Sequence, residues 1–365
     1  MKKILKRSAV FVIIIAMTIS FFSGCIPSPC ARVTIEGTNF IVNGKKLWLS
    51  GGNTPWYNWN DFAGSMDEDK WTETFAMLAE NNINCTRIWV NCNGNQIVRV
   101  DPKGKISGIN DGHWSDLDKL FSLAEEYGIY IMATLLSFDH FKAPNWQALI
   151  KSKGMTDEYA EKYVAEFCKR YGENEYLFSI DIMNEPDWVF ENRECGQIPW
   201  DNISYFLGKC AATIHDNCKT LVTVGMAMIK YNSDKYEGNK ISDEYLKELT
   251  GLDGAYVDFY STHYYSWQKP YFGLPFKGDP ESFGLDGDKP CLIGETSNDD
   301  EKNFTMNLSD VYKSSYDNEW GGILVWMEPR DKEEPMWYRF DLTAEAANQM
   351  AEYAYDEIYP IGKRK

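Results

Sequence analysis

Eight short apolar runs punctuate this chain, at 47–53, 84–90, 129–136, 179–188, 220–225, 257–263, 290–295 and 322–326. Between them the apolar spacing switches to a helical period at 71–80, 114–127, 156–171, 200–216, 242–249, 304–316 and 343–355. Strands of this length separated by helices or long loops cannot pair as hairpins, because each return to the sheet consumes a crossover. The rhythm therefore predicts an α/β fold in which eight parallel strands close into a (β/α)8 TIM barrel. At 365 residues the chain accommodates one such barrel of roughly 250 residues plus insertions. Ahead of the first barrel strand, 33–47 reads as a small β-hairpin turning at Gly37-Thr38-Asn39 and again at Asn43-Gly44, placed to plug the barrel from below.

The fourth run reads S-I-D-I-M-N-E-P-D-W, and Pro186 ends it because proline cannot donate to a sheet ladder. Asn184 and Glu185 are thereby delivered at the carboxyl end of a strand, where barrels of this kind carry their chemistry. A second apolar run, P-C-L-I-G-E-T, ends in the same way on Glu295. Taken singly, either motif also suits a helix start. As a pair on separate strands, the two carboxylates form the arrangement that glycoside hydrolysis requires.

Charge narrows the partners. The first residues are basic (Lys2, Lys3, Lys6, Arg7) and 9–22 is an apolar run too short to span a membrane, so 1–24 reads as a signal peptide. Its removal takes four cations and no acid, moving the net charge from −17 to −21. Such a surface disfavours nucleic acid and other polyanions and suits a neutral polymer. The end of the leader, F-S-G-C, resembles the bacterial lipobox, with Phe22 where leucine is usual. Cys25 is then expected to be lipidated, with 25–32 as a tether, 33–365 as the catalytic domain, and the protein held by its lipid at the extracellular face of a bacterial cell; free secretion is the alternative. The nine cysteines show no zinc spacing and leave buried thiols or a few bridges open. Nothing in the sequence calls for a metal or a cofactor.

Other polar residues fall at strand ends of the same barrel: Arg87 within T-R-I-W, His263 and Tyr265 in H-Y-Y, and Trp326 closing the eighth strand. A guanidinium inside an apolar strand calls for a carboxylate partner. Together with Asn184, Glu185 and Glu295, this set resembles glycoside hydrolase family 5 of clan A, over nearly the whole mature chain. The resemblance implies a retaining mechanism with Glu295 as nucleophile and Glu185 as acid/base. It further implies that Asn184 holds the sugar 2-hydroxyl, Tyr265 hydrogen-bonds the nucleophile, His263 orients the site and Trp326 lies under the reacting sugar. Arg87 is expected to lower the pKa of Glu295, and the charge of Glu295 to keep Glu185 protonated. His140, Asn53, Trp56 and Trp59 are candidate sugar contacts near the first and third strands, and Trp188 and Trp267 near the fourth and sixth; each could instead be local packing.

The reading that follows is a hydrolase of β-1,4-linked polysaccharide, with mannan or glucomannan favoured by the first-loop composition and the Arg-Ile-Trp strand. A cellulase or an exo-β-glycosidase on the same barrel is the alternative. A carbohydrate-binding lipoprotein without activity would have no need of both carboxylates and their supports.

Overall fold

A computed structural model describes residues 30–330 and 336–364. The expected signal peptide, Cys25 and the first part of the tether lie outside them. Three antiparallel strands come first, β1 (Val33–Glu36), β2 (Asn39–Val42) and β3 (Lys45–Leu47), so the expected hairpin has a third strand. Both connections are two-residue turns, and Asn43 and Gly44 both take positive φ, the backbone a tight turn of this hand demands.

The barrel follows. Its first strands are β4 (Leu49–Asn53) and β5 (Cys85–Trp89); a small ribbon, β6 (Val98–Val100) with β7 (Ile106–Ile109), projects from the loop after β5 and was not legible in the sequence. The remaining barrel strands are β8 (Tyr130–Thr134), β9 (Leu177–Asn184), β10 (Leu221–Met226), β11 (Tyr260–Tyr264), β12 (Cys291–Ser297) and β13 (Gly322–Trp326). All eight pair in parallel, and β13 closes on β4 with Trp326 opposite Asn53. Six of the eight are buried along their whole length and the other two, β12 and β13, along all but their last residue, as strands covered by helices on one side and barrel filling on the other must be.

Three ladders shift register near their carboxyl ends, and each shift aims a polar side chain. Between β9 and β10 it sets Asn184 opposite Gly225; between β11 and β12 it sets His263 opposite Glu295; between β12 and β13 it sets Thr296 opposite Val325. Such irregularities bend a strand and redirect what it carries.

Two of the expected helices are reshaped, and an unexpected one, Pro144–Ile150, follows the third barrel strand. The segment read as one helix at 304–316 is two, Glu301–Phe304 and Leu308–Asp317, because Thr305 turns into the left-handed region and Asn307 caps the second through the Asp310 amide. The helix expected at 156–171 starts earlier, at Lys153, and passes through a widened turn at Ala160–Val164 without leaving helical backbone angles.

The amino-terminal sheet closes the bottom of the barrel. Phe40 is fully buried with its ring edge-on to Phe178 and Phe259, both at 5.1 Å, and Trp48 donates to the Trp320 carbonyl at 2.9 Å. Truncating Phe40 to alanine should leave a void at that end and cost about 3–5 kcal/mol. Guanidinium unfolding of Phe40→Ala measures that loss; a midpoint equal to the parent's would show that the plug does not hold the barrel closed.

Candidate active site

At the carboxyl end of the barrel one guanidinium organises the polar groups. Arg87, on β5, is fully buried. Its Nε and Nη2 donate to Asp181 Oδ2 at 3.0 and 2.7 Å, and Nη2 also donates to Asn184 Oδ1 at 2.8 Å. Nη1 donates to Asn53 Oδ1 and to Glu295 Oε2, both at 3.1 Å. Five N–H groups meet five acceptor contacts, so the cation is fully satisfied. The carboxylate partner that the sequence called for is Asp181, the acid in the middle of the fourth apolar run. Thr134 Oγ1 (2.9 Å) and the Gly225 amide (2.9 Å) complete its shell. Gly225 has no room for a side chain: a Cβ there would sit 2.7 Å from His263 Nε2 and 3.1 Å from Arg87 Nη2.

The two expected carboxylates meet above this cation. Glu185 holds a positive φ of 53°, which an L residue adopts only when its surroundings impose it. Its amide is tied to the Gly225 carbonyl at 2.7 Å. Pro186 then opens the short helix Asp187–Glu191, which returns Trp188 so that its indole N–H donates to Glu185 Oε2 at 2.9 Å. Glu295 accepts from the Tyr265 hydroxyl at 2.6 Å through its other oxygen. His263 Nδ1 lies 3.0 Å from Glu185 Oε1 and 3.5 Å from Glu295 Oε2. One ligand atom from each of Glu185, His263 and Glu295 falls within 4.8 Å of the others. Carboxyl groups this close fit the roughly 5–5.5 Å spacing of a retaining pair and fall short of the roughly 6.5–9.5 Å gap of an inverting pair. Among the described residues this trio is the one group of three or more His, Cys, Asp or Glu side chains near enough to share an ion, and its oxygens are already engaged by Arg87, Tyr265, Trp188 and His263.

Burial sets the protonation pattern. It pushes Glu185 up to about 7, against the opposing pull of Arg87 and of the Trp188 hydrogen bond. Burial, and not the charge of Glu295, is thus the main reason that Glu185 keeps its proton. Glu295 is raised too, again by burial, with His263, Arg87 and Tyr265 all pulling down. The expectation that Arg87 would depress it outright fails because desolvation is the larger effect. Geometry still separates the two acids, since Arg87 donates directly to Glu295 and makes no hydrogen bond to Glu185, which favours the charged form at Glu295. His263 is held near 4, also by burial, and is therefore a neutral imidazole at pH 7.

Aromatic rings line the mouth on two sides. Trp326 stands 5.6 Å from Trp56 and 5.9 Å from Trp89, and Trp56 is 4.6 Å from the half-exposed Trp59. Across the carboxylates Trp188 lies 6.4 Å from the exposed Trp267. Two expected contacts do not reach the mouth. Asn53 is fully buried with its oxygen on Arg87 and its amide shared between the Gly294 and Leu324 carbonyls, so no atom is left for a sugar. His140 is fully buried, bonded to Ser137 and to Asn91 Oδ1 at 3.2 Å, with its ring against Trp146. Asn53 supports the site from behind through Arg87. Asp181, Thr134 and the bond from Trp188 to Glu185 were missed; an acid inside an apolar strand was the one available sign.

Several known proteins share this architecture. A family model described as "Apiosidase-like, catalytic domain" matches residues 32–248, more than half of the chain. A mannan endo-1,4-beta-mannosidase from Mytilus edulis is 26% identical over 326 residues, covering 81% of this chain and 88% of the relative. Among solved structures, the beta-1,4-mannanase from the common sea hare Aplysia kurodai superposes with a TM-score of 0.78 at 23% identity, covering 88% of this chain and 97% of that one. A glycoside hydrolase family 5 mannosidase from Rhizomucor miehei superposes at 0.55 and 14% identity, covering 89% and 99%. At these identities the structural likenesses establish the barrel.

Asp181→Asn should remove the charge that compensates Arg87 in a water-free position and cost about 3–5 kcal/mol of stability. Chemical unfolding checks this; a loss under about 1 kcal/mol would mean that Glu295 alone compensates the cation.

Proposed function

The chain belongs to the apiosidase-like catalytic domain family, and on that premise we propose that it is a retaining glycoside hydrolase acting on β-1,4-mannan or glucomannan as an endo-β-mannanase. The carrying observation is the close approach of Glu185 and Glu295, one an acid kept protonated by burial, the other a carboxylate paired with Arg87. The Mytilus edulis relative, named a mannan endo-1,4-beta-mannosidase, and the Aplysia kurodai structure, named a beta-1,4-mannanase, support mannan as the polymer. The strand-end set of Arg87, Asn184, Glu185, His263, Tyr265, Glu295 and Trp326 supports a place in glycoside hydrolase family 5.

In this reading Glu295 attacks the anomeric carbon while Glu185 gives its proton to the leaving glycosidic oxygen, forming a glycosyl ester on Glu295. Glu185, now ionised, takes a proton from water, which displaces the sugar with net retention. Tyr265 and Arg87 hold the nucleophile's oxygens apart and aimed. Asn184, with its oxygen committed to Arg87, turns its amide N–H groups towards a substrate hydroxyl. Trp326 offers an indole face to the C–H side of the reacting ring. The excess negative charge of the chain suits a neutral polymer. The leader-like amino terminus supports export, with Cys25 as a lipid anchor holding the enzyme at the outer face of the cell.

Glu185→Ala and Glu295→Ala should each lower kcat on mannan by at least about 10³-fold. Azide should rescue Glu185→Ala on an activated aryl β-mannoside and give a β-glycosyl azide, because the ester on Glu295 still forms; the α-azide would contradict these roles. In a panel of mannan, glucomannan, carboxymethylcellulose, xylan and an apiose-bearing glycan, the mannans should be cut fastest. Preference for any other member reassigns the substrate.

As a general acid, Glu185 works protonated, so kcat/KM should fall as pH rises through about 7. The Trp188 indole favours the ionised form of Glu185, so Trp188→Phe should move that limb to higher pH; an unmoved limb would assign it to another group. Cys25→Ala should release the protein from the membrane fraction into the medium, and retention there would remove the anchor.

A further inference from the structure

All eight described cysteines are free thiols, and two of them stand apart. Cys168 lies on the helix Ala165–Tyr171 and is buried; Cys218 caps the carboxyl end of the helix Trp200–Asn217 and is half-exposed. Their thiols lie close enough to influence each other's charge. The backbone is shaped around this meeting. Gly172 follows the first helix, and a Cβ there would fall 2.3 Å from Cys218 Cβ and 2.5 Å from the Cys168 carbonyl. Only glycine lets the second helix end sit so close to the first.

The two thiols also differ in a useful way. The neighbouring Cys168 thiol, Thr220 and the charge of His215 favour the thiolate at Cys218 and draw its pKa down to about 6. Cys168 is pushed the other way, by the neighbouring Cys218 and by burial. An accessible thiolate beside a sheltered thiol is the arrangement in which one attacks an external disulfide and the other resolves the product.

We propose that Cys168 and Cys218 form an intramolecular disulfide, acquired by exchange with a small or protein disulfide outside the cytoplasm. The Cys218 thiolate attacks one sulfur of the external disulfide and expels the other as a thiolate. Cys168, losing its proton to that leaving thiolate or to solvent, then attacks Cys218 Sγ and expels the remaining half of the reagent. The net change is oxidation of two protein thiols to one S–S bond and reduction of one external disulfide to two thiols. The bond ties the helix that leads into β9, carrier of Asn184 and Glu185, to the helix that leads into β10, whose Gly225 carbonyl holds the Glu185 amide. It lies away from the mouth, so it stabilises the fold and leaves the chemistry unchanged.

The proposal supposes an exported protein, but its test is independent of export. The purified full-length mature protein is incubated with oxidised glutathione at neutral pH, denatured, alkylated and digested without reduction. The expected result is a Cys168–Cys218 linked peptide, with Cys85, Cys92, Cys195, Cys210 and Cys291 recovered alkylated. The oxidised parent should melt on the order of 5 °C above the reduced parent, a gap that Cys168→Ser and Cys218→Ser both abolish while kcat/KM stays at the parent value. Recovery of Cys168 alkylated in the oxidised parent, with Cys218 alkylated or left as a glutathione adduct, would overturn the proposal. So would a linked peptide that joins either residue to another cysteine.

Discussion

The carboxyl end of this barrel depends on one buried cation. A guanidinium without water must have every N–H accepted and its charge opposed nearby, and Arg87 achieves this only by drawing β4, β9 and β12 to itself through Asn53, Asp181, Asn184 and Glu295. Those bonds fix where the strands end relative to one another. They also fix which way the amide of Asn184 faces and which oxygen of Glu295 is spoken for. The architecture of the site is the satisfaction of Arg87.

A second consequence concerns the two acids. Both are withdrawn from water, and burial raises both. What makes them unequal is the identity of their partners: a cation and a phenol for Glu295, an indole and a neutral imidazole for Glu185. Burial favours the proton on Glu185 and the direct bond from Arg87 favours the charge on Glu295, which suits a donor and a nucleophile acting on one bond. The positive φ of Glu185 belongs to the same scheme, since the strained backbone swings its carboxyl towards β11 and β12 where an extended strand would have carried it past them.

The barrel itself was legible because eight apolar runs spaced by helical patterns admit few other closed solutions, and the strand-ending Pro186 marked where the first carboxylate would stand. The same reading misjudged residues whose role depends on depth. Asn53 and His140 carry the chemistry of sugar ligands, and nothing in their local sequence distinguishes a residue facing the mouth from one facing Arg87 or Ser137 behind it. Asp181 was hidden for the opposite reason: it sits inside an apolar strand, where periodicity reads the neighbours and passes over the exception. The register shifts that set His263 opposite Glu295 and Asn184 opposite Gly225 have no linear signal, because they arise from closing the sheet.

The sequence by itself determined the fold class, the order of its strands and the two glutamates at strand ends, since these follow from local periodicity and from what proline forbids. Tertiary structure alone decided the spacing between those glutamates, the five-fold engagement of Arg87, the contact of Cys168 with Cys218 and the main cause of the raised Glu185 pKa. Each of these is a matter of distance or of exclusion from water between groups far apart in the chain, and such quantities exist only once the barrel has closed.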